Sequence, residues 1–93
     1  MKDFIVRHTF KSEATKKQYF AILETMSEEQ VRDQMKNDSA SFQMQWNNGG
    51  AGNVVYCWWK ANDKAAILST LGPIGDMFDN EILEMANVID VSD

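Results

Sequence analysis

A chain of 93 residues makes one domain of modest size, and its 44% hydrophobic content with charge spread along its length marks it as globular, not disordered. The formal net charge of −5 and the lack of any Lys/Arg cluster exclude the phosphate-binding footprint of a nucleic-acid partner and disfavour an anionic membrane surface. Cys57 is the single cysteine and can form no internal disulfide, Met1-Lys2-Asp3-Phe4 begins no signal-peptide run, and no apolar stretch approaches the ~20 residues of a bilayer span, so the expectation is a reduced, cytoplasmic protein without a membrane partner.

Asp3 to Phe10 reads as a first strand, with Phe4, Val6, His8 and Phe10 on one face and Ile5, Arg7 and Thr9 on the other. Ser12 is a helix N-cap with Glu13 at the positive end of the helix, which runs to about Thr25. Its buried stripe is drawn from Tyr19, Phe20, Ile22, Leu23 and Met26. Ser27-Glu28-Glu29-Gln30 matches a capping box and starts a second, short helix. Val31 and Met35 are the only large apolar residues of that helix, which predicts a surface position, and Asn37-Asp38-Ser39 ends it.

Ser41 to Asn47 reads as a half-exposed second strand, Phe42, Met44 and Trp46 on one face and Gln43 and Gln45 on the other. Asn47 to Asn53 is a hairpin loop of the residues that accept positive φ most cheaply. Val54 to Lys60 is a third strand, apolar on both faces: Val55, Cys57 and Trp59 point one way, Val54, Tyr56 and Trp58 the other. Asn62 or Asp63 caps a third helix with Ala65, Leu68 and Leu71 facing the core, and Gly72-Pro73 stops it. Ile74 to Asn80 reads as irregular or a short turn, and Asp76, Asp79, Asn80 and Glu81 as an acidic, solvated loop. Glu81 to Val91 supplies the last strand, with Leu83, Met85 and Ile89 opposite Ile82, Ala86 and Val88.

The order β-α-(α)-β-β-α-β over residues 1–93 predicts one α+β domain, a ferredoxin-like plait: a four-stranded antiparallel sheet with helices on one face and the first and third strands at its centre. These are the two strands with apolar residues on both faces. Helices cover one face, so the second calls for another cover, and a second copy of the chain is the expected one.

The element order, the run Trp58-Trp59-Lys60-Ala61-Asn62-Asp63-Lys64-Ala65 from strand to helix, and the final strand Glu84 to Asp90 make the chain resemble the dimeric α+β barrel superfamily. It is similar in length to the single-domain members: the antibiotic-biosynthesis-type and heme-degrading monooxygenases, the stress-responsive A/B barrel proteins and several small families without known function. The resemblance implies two sheets packed face to face and a cavity in each subunit. In the monooxygenases a tryptophan of the third strand and a polar residue of the first line that cavity. Trp59 matches the tryptophan; the strand-one Asn position falls near Val6, so the polar anchor is unmatched, and His8 on the same face can take its role.

His8, the only histidine, is the candidate catalytic or ligand-contacting residue, because imidazole titrates near neutral pH. Val6, Cys57, Trp59 and Met85 join it as candidate ligand-binding residues, with Met44 and Met77 lending the pocket adaptability. If the other face looks inward, Arg7 and Trp58 replace His8 and Trp59. Arg7 has two readings, a ligand carboxylate or an ion pair with Glu84. His8 and Cys57 are too few ligands for a structural metal site, Gly49-Gly50-Ala51-Gly52 precedes a strand instead of the helix a phosphate loop needs, and no cofactor motif is present. The expected function is a homodimer that binds a small, partly apolar molecule; the alternative is a cofactor-independent monooxygenase-like enzyme acting on a phenolic or enolic substrate.

Overall fold

The computed structural model describes residues 1–93 as a four-stranded antiparallel sheet carrying its helices on one face. The elements are β1 (Lys2–Phe10), α1 (Glu13–Glu24), α2 (Glu28–Gln34), β2 (Ala40–Trp46), β3 (Val54–Ala61), α3 (Lys64–Leu71), a 3-10 turn (Gly72–Met77) and β4 (Phe78–Met85). The strand order is β2-β3-β1-β4, so the two doubly apolar strands lie at the centre as expected for the ferredoxin-like plait. The core lies between sheet and helices: Phe4, Val6, Val55, Trp59 and Ile67 are fully buried there.

Local chemistry sets the element boundaries. Ser12 Oγ accepts from the Thr15 backbone N–H, and Thr15 Oγ1 returns the bond to the Ser12 N–H, both at 3.1 Å. Ser27 and Gln30 close the same reciprocal pair at the start of α2. Asp63, not Asn62, caps α3 by accepting from the Ala66 N–H at 2.8 Å. Gly72 ends α3 at φ 56°, a left-handed conformation in which a side chain would be strained.

Four local expectations are corrected. First, β2 carries a bulge: Phe42 pairs with Trp59 and Met44 with Trp58, so Gln43 is an extra residue in the ladder. Past it the faces exchange. Met44 and Trp46 join Trp58 and Tyr56 on the open face, and Gln45 turns to the helix side opposite Cys57. Second, α3 buries Ile67 and Leu71, whereas Ala65 and Leu68 are exposed. Stripes through 65-68-71 and through 67-71 both satisfy helical spacing, and the second wins because the 3-10 turn extends it to Ile74 on the core. Third, β4 begins at Phe78 and ends at Met85, so the Asp79–Glu81 segment is strand, and Val88, Ile89 and Val91 lie outside it, exposed. Fourth, Arg7 lies opposite Glu81 and Tyr56 on the open face, while Glu84 pairs with Lys2 Nζ at 3.4 Å.

Replacing Ile67 with Ala should lower stability by about 2–5 kcal/mol, and Leu68→Ala, one residue on, by no more than about 0.5 kcal/mol. Urea denaturation of the two variants checks the orientation of α3, since the alternative stripe reverses their order.

Candidate functional site

The sheet and helices enclose a small cavity on the buried face, about 50 Å³, lined mainly by apolar side chains. That is room for a few water molecules or one small chemical group, well short of the ~300 Å³ at which pockets hold drug-sized ligands. Outside it, between α1, α2 and the β2 edge, runs an open groove of about 520 Å³. Leu23, Met26, Val31, Phe42 and Gln45 line both spaces, so the two adjoin along these residues. Leu23 lies on the last turn of α1 and Met26 just beyond its end, side chains able to change rotamer without moving the backbone.

The inner cavity has a polar end. β1 supplies His8, which is 2% exposed, β3 supplies Cys57, α1 supplies Tyr19 and the bulge delivers Gln45. His8 Nδ1 lies 2.5 Å from Asn80 Oδ1 across the β1–β4 ladder, where the two residues are direct partners. Asn80 Nδ2 donates to the Gly75 carbonyl at 2.9 Å, which fixes the amide with its oxygen toward the imidazole. An amide oxygen can only accept, so the proton of neutral His8 sits on Nδ1 and Nε2 keeps a free lone pair. Burial holds the His8 pKa below its ordinary value, against a smaller upward push from the Asn80 bond.

Tyr19 is oriented in a parallel way. Asn47 Nδ2 donates to Gln45 Oε1 at 2.9 Å, leaving Gln45 Nε2 to donate to the Tyr19 hydroxyl. With that oxygen accepting, the phenolic proton is available to donate elsewhere. Burial, reinforced by Cys57 and opposed by the Gln45 bond, pushes the Tyr19 pKa up to about 12. The Cys57 thiol is likewise pushed up to about 12 by burial. A thiol held protonated is neither a nucleophile nor a thiolate ligand. The rings of His8 and Tyr19 both pack on Phe78, at centroid distances of 4.9 and 5.0 Å.

The structure thus brings together two of the residues singled out from sequence, His8 and Cys57, in the cavity wall. Val6 and Trp59 share their face but are wholly buried beside the cavity and do not line it. Trp59 packs edge-on against Phe42 at 5.4 Å, and its indole N–H makes no hydrogen bond, which costs about 1–3 kcal/mol. Met85 and Met44 lie on the opposite, open face, and Met77 is buried outside the cavity lining. Arg7 and Trp58 are also on the open face, where Trp58 Nε1 donates to Asp3 Oδ1 at 3.0 Å.

Three site residues escape the sequence reading. Asn80 reads as part of an acidic loop; starting the strand at Phe78 makes Phe78, Asn80 and Ile82 a period-two face and reveals it. Gln45 is inward only because of the bulge, and Tyr19 reads as one more core aromatic. Comparison with protein-family models, with curated proteins and with solved structures finds no match to this chain.

Two measurements check these electrostatics. The lowered His8 pKa means that the unfolded chain takes up the proton first as pH falls, so the His8 contribution is complete above the unfolded value near 6.5 and is lost as pH falls toward the folded value. Between about pH 7.5 and 5.5 the wild-type protein should lose stability while His8→Gln stays flatter. Cys57 should resist a disulfide exchange reagent at pH 8 in the native protein and react at once in denaturant; fast native labelling would contradict its burial.

Proposed function

We propose that this chain works as a homodimer, each subunit binding a small, partly apolar molecule in the space between its sheet and helices without chemistry of its own. The observation that carries the reading is an apolar cavity whose polar end leaves one His8 acceptor and one Tyr19 donor without protein partners. Apolar lining with a few oriented polar groups is the usual make-up of small-molecule sites. The cavity accommodates the head of such a molecule, and the adjoining groove its remainder.

Support for the assembly comes from the open face. Met44, Trp46, Tyr56 and Leu83 are each between 43% and 52% exposed there, next to Ile5 and Trp58, on a sheet surface that no helix covers. Contiguous aromatic and methionine surface of this kind is typical of interface cores. No helix is long and apolar enough to cross a membrane, and a second copy offers the same patch in complementary form.

A second reading draws on one feature, the Nε2 lone pair of a neutral imidazole in a largely apolar pocket. Such a base can take a proton from a phenolic or enolic substrate, which dioxygen then oxidises without a cofactor.

At micromolar concentration, sedimentation velocity should show twice the mass of the chain, and Trp46→Lys with Tyr56→Lys should halve it while leaving the circular dichroism unchanged. A lone, folded wild-type particle would refute the dimer. Native mass spectrometry of the purified protein should reveal a retained small molecule. Turnover of hydroxylated aromatics under oxygen, abolished in His8→Ala, would instead establish the enzymatic reading.

A further inference from the structure

The polar end of the cavity discriminates between chemical classes, because it offers one strong acceptor and one strong donor, beside the weak Cys57 S–H, and no charge. We infer that the bound molecule enters with a neutral hydroxyl group, as an alcohol, phenol or enol, which donates to His8 Nε2 and accepts from the Tyr19 hydroxyl while its apolar remainder leads past Leu23, Met26 and Phe42 into the outer groove; this rests on the small-molecule reading above.

The alternatives each leave something unpaired. A carboxylate brings acceptors and a negative charge against the His8 lone pair, and the one cation near this route, Arg32, lines the outer groove and not the inner cavity. An ammonium satisfies His8 but sets its donors against the Tyr19 proton and buries its charge without a counterion. An ether or ketone accepts from Tyr19 and leaves Nε2 empty. A carboxamide carries both functions but adds a further donor and a further acceptor site that apolar walls cannot satisfy. A hydroxyl has one proton and one accepting oxygen on a single atom, which also suits a space of about 50 Å³. The two amides behind the rings enforce this choice. Asn80 is locked by Gly75 and Gln45 by Asn47, so neither ring can exchange its role without breaking a second bond.

The test uses the full chain and a matched series: 1-hexanol, methyl pentyl ether, hexanoate and hexylammonium, titrated by ligand-observed NMR, with the ¹⁵N signal of His8 Nε2 followed in parallel. Hexanol should bind about tenfold more tightly than the ether or either ion, the difference expected when a buried polar group is left unpaired. It should also shift the Nε2 signal, and the ether should not. Tyr19→Phe should weaken hexanol and the ether together and leave hexanol the tighter of the two, because both accept from Tyr19 and only hexanol donates to His8. Equal binding of hexanol and ether by the wild-type protein, or preference for an ion, would overturn the inference while leaving a small-molecule site in place. Binding of no member would overturn both. Should Tyr19→Phe fail to fold, the wild-type series and the histidine signal still decide.

Discussion

The antiparallel pairing of β1 with β3, from Lys2–Ala61 to Thr9–Val54, is the constraint on which the rest of the molecule is built. Paired residues share a face, so this one ladder sorts the central side chains into rows. Phe4 with Trp59, Val6 with Cys57 and His8 with Val55 face the helices; Ile5 with Trp58 and Arg7 with Tyr56 face away. Each large apolar side chain removed from water on the helix side contributes about 1.5–3 kcal/mol, and slipping the register by one residue would send all of them to the other face. His8 is carried into this buried row by the same alternation that buries Val6 and Phe10. Its position is a consequence of strand geometry, and its polarity is a cost that the structure offsets with Asn80.

That offset explains why the site is so constrained. In a dry environment an imidazole is held neutral, and it still needs its N–H satisfied. Asn80 meets the need from the neighbouring strand, and the 3-10 turn before β4 brings the Gly75 carbonyl within reach of the same amide. The turn exists because Gly72 ends α3 and Pro73 cannot extend the α-helical hydrogen bonding. A backbone break dictated by two residues thus fixes which nitrogen of His8 carries the proton.

Much of the fold was legible because it rests on short-range chemistry. The two serine caps, the Gly-Pro stop and the period-two alternation of β1 and β3 are written in adjacent residues, and they suffice to place the elements and the centre of the sheet. What escaped depends on partners far along the chain. The orientation of α3 is decided by where Ile74 lands, not by the helix itself. The alternation places the start of β4 at Glu81, three residues late, because Asp79 and Glu81 resemble a solvated loop when their outward direction is unknown. His8 and Cys57 were recognisable as inward residues of one face, but the space beside them was not: Tyr19 and Gln45 arrive from α1 and β2 through contacts 26 residues apart in sequence.

The bulge at Gln43 ties the site to the outer surface of the sheet. Without it, Phe42, Met44 and Trp46 would alternate onto the helix side, and Gln45 would point away from Tyr19. The extra residue reverses both outcomes at once. It delivers the amide that orients the Tyr19 hydroxyl, and it moves Met44 and Trp46 out beside Tyr56 and Trp58. β2 is an edge strand, where an added residue disrupts only one ladder, so the change is cheap in hydrogen bonds. The inward turn of Gln45 and the outward turn of Met44 and Trp46 therefore share a single backbone cause. A regular ladder that kept Gln43, setting it opposite Trp58 and Met44 opposite Cys57, would exchange a polar site and an adhesive surface for a larger apolar core, whereas deleting Gln43 would leave Met44, Gln45 and Trp46 on the partners they already have.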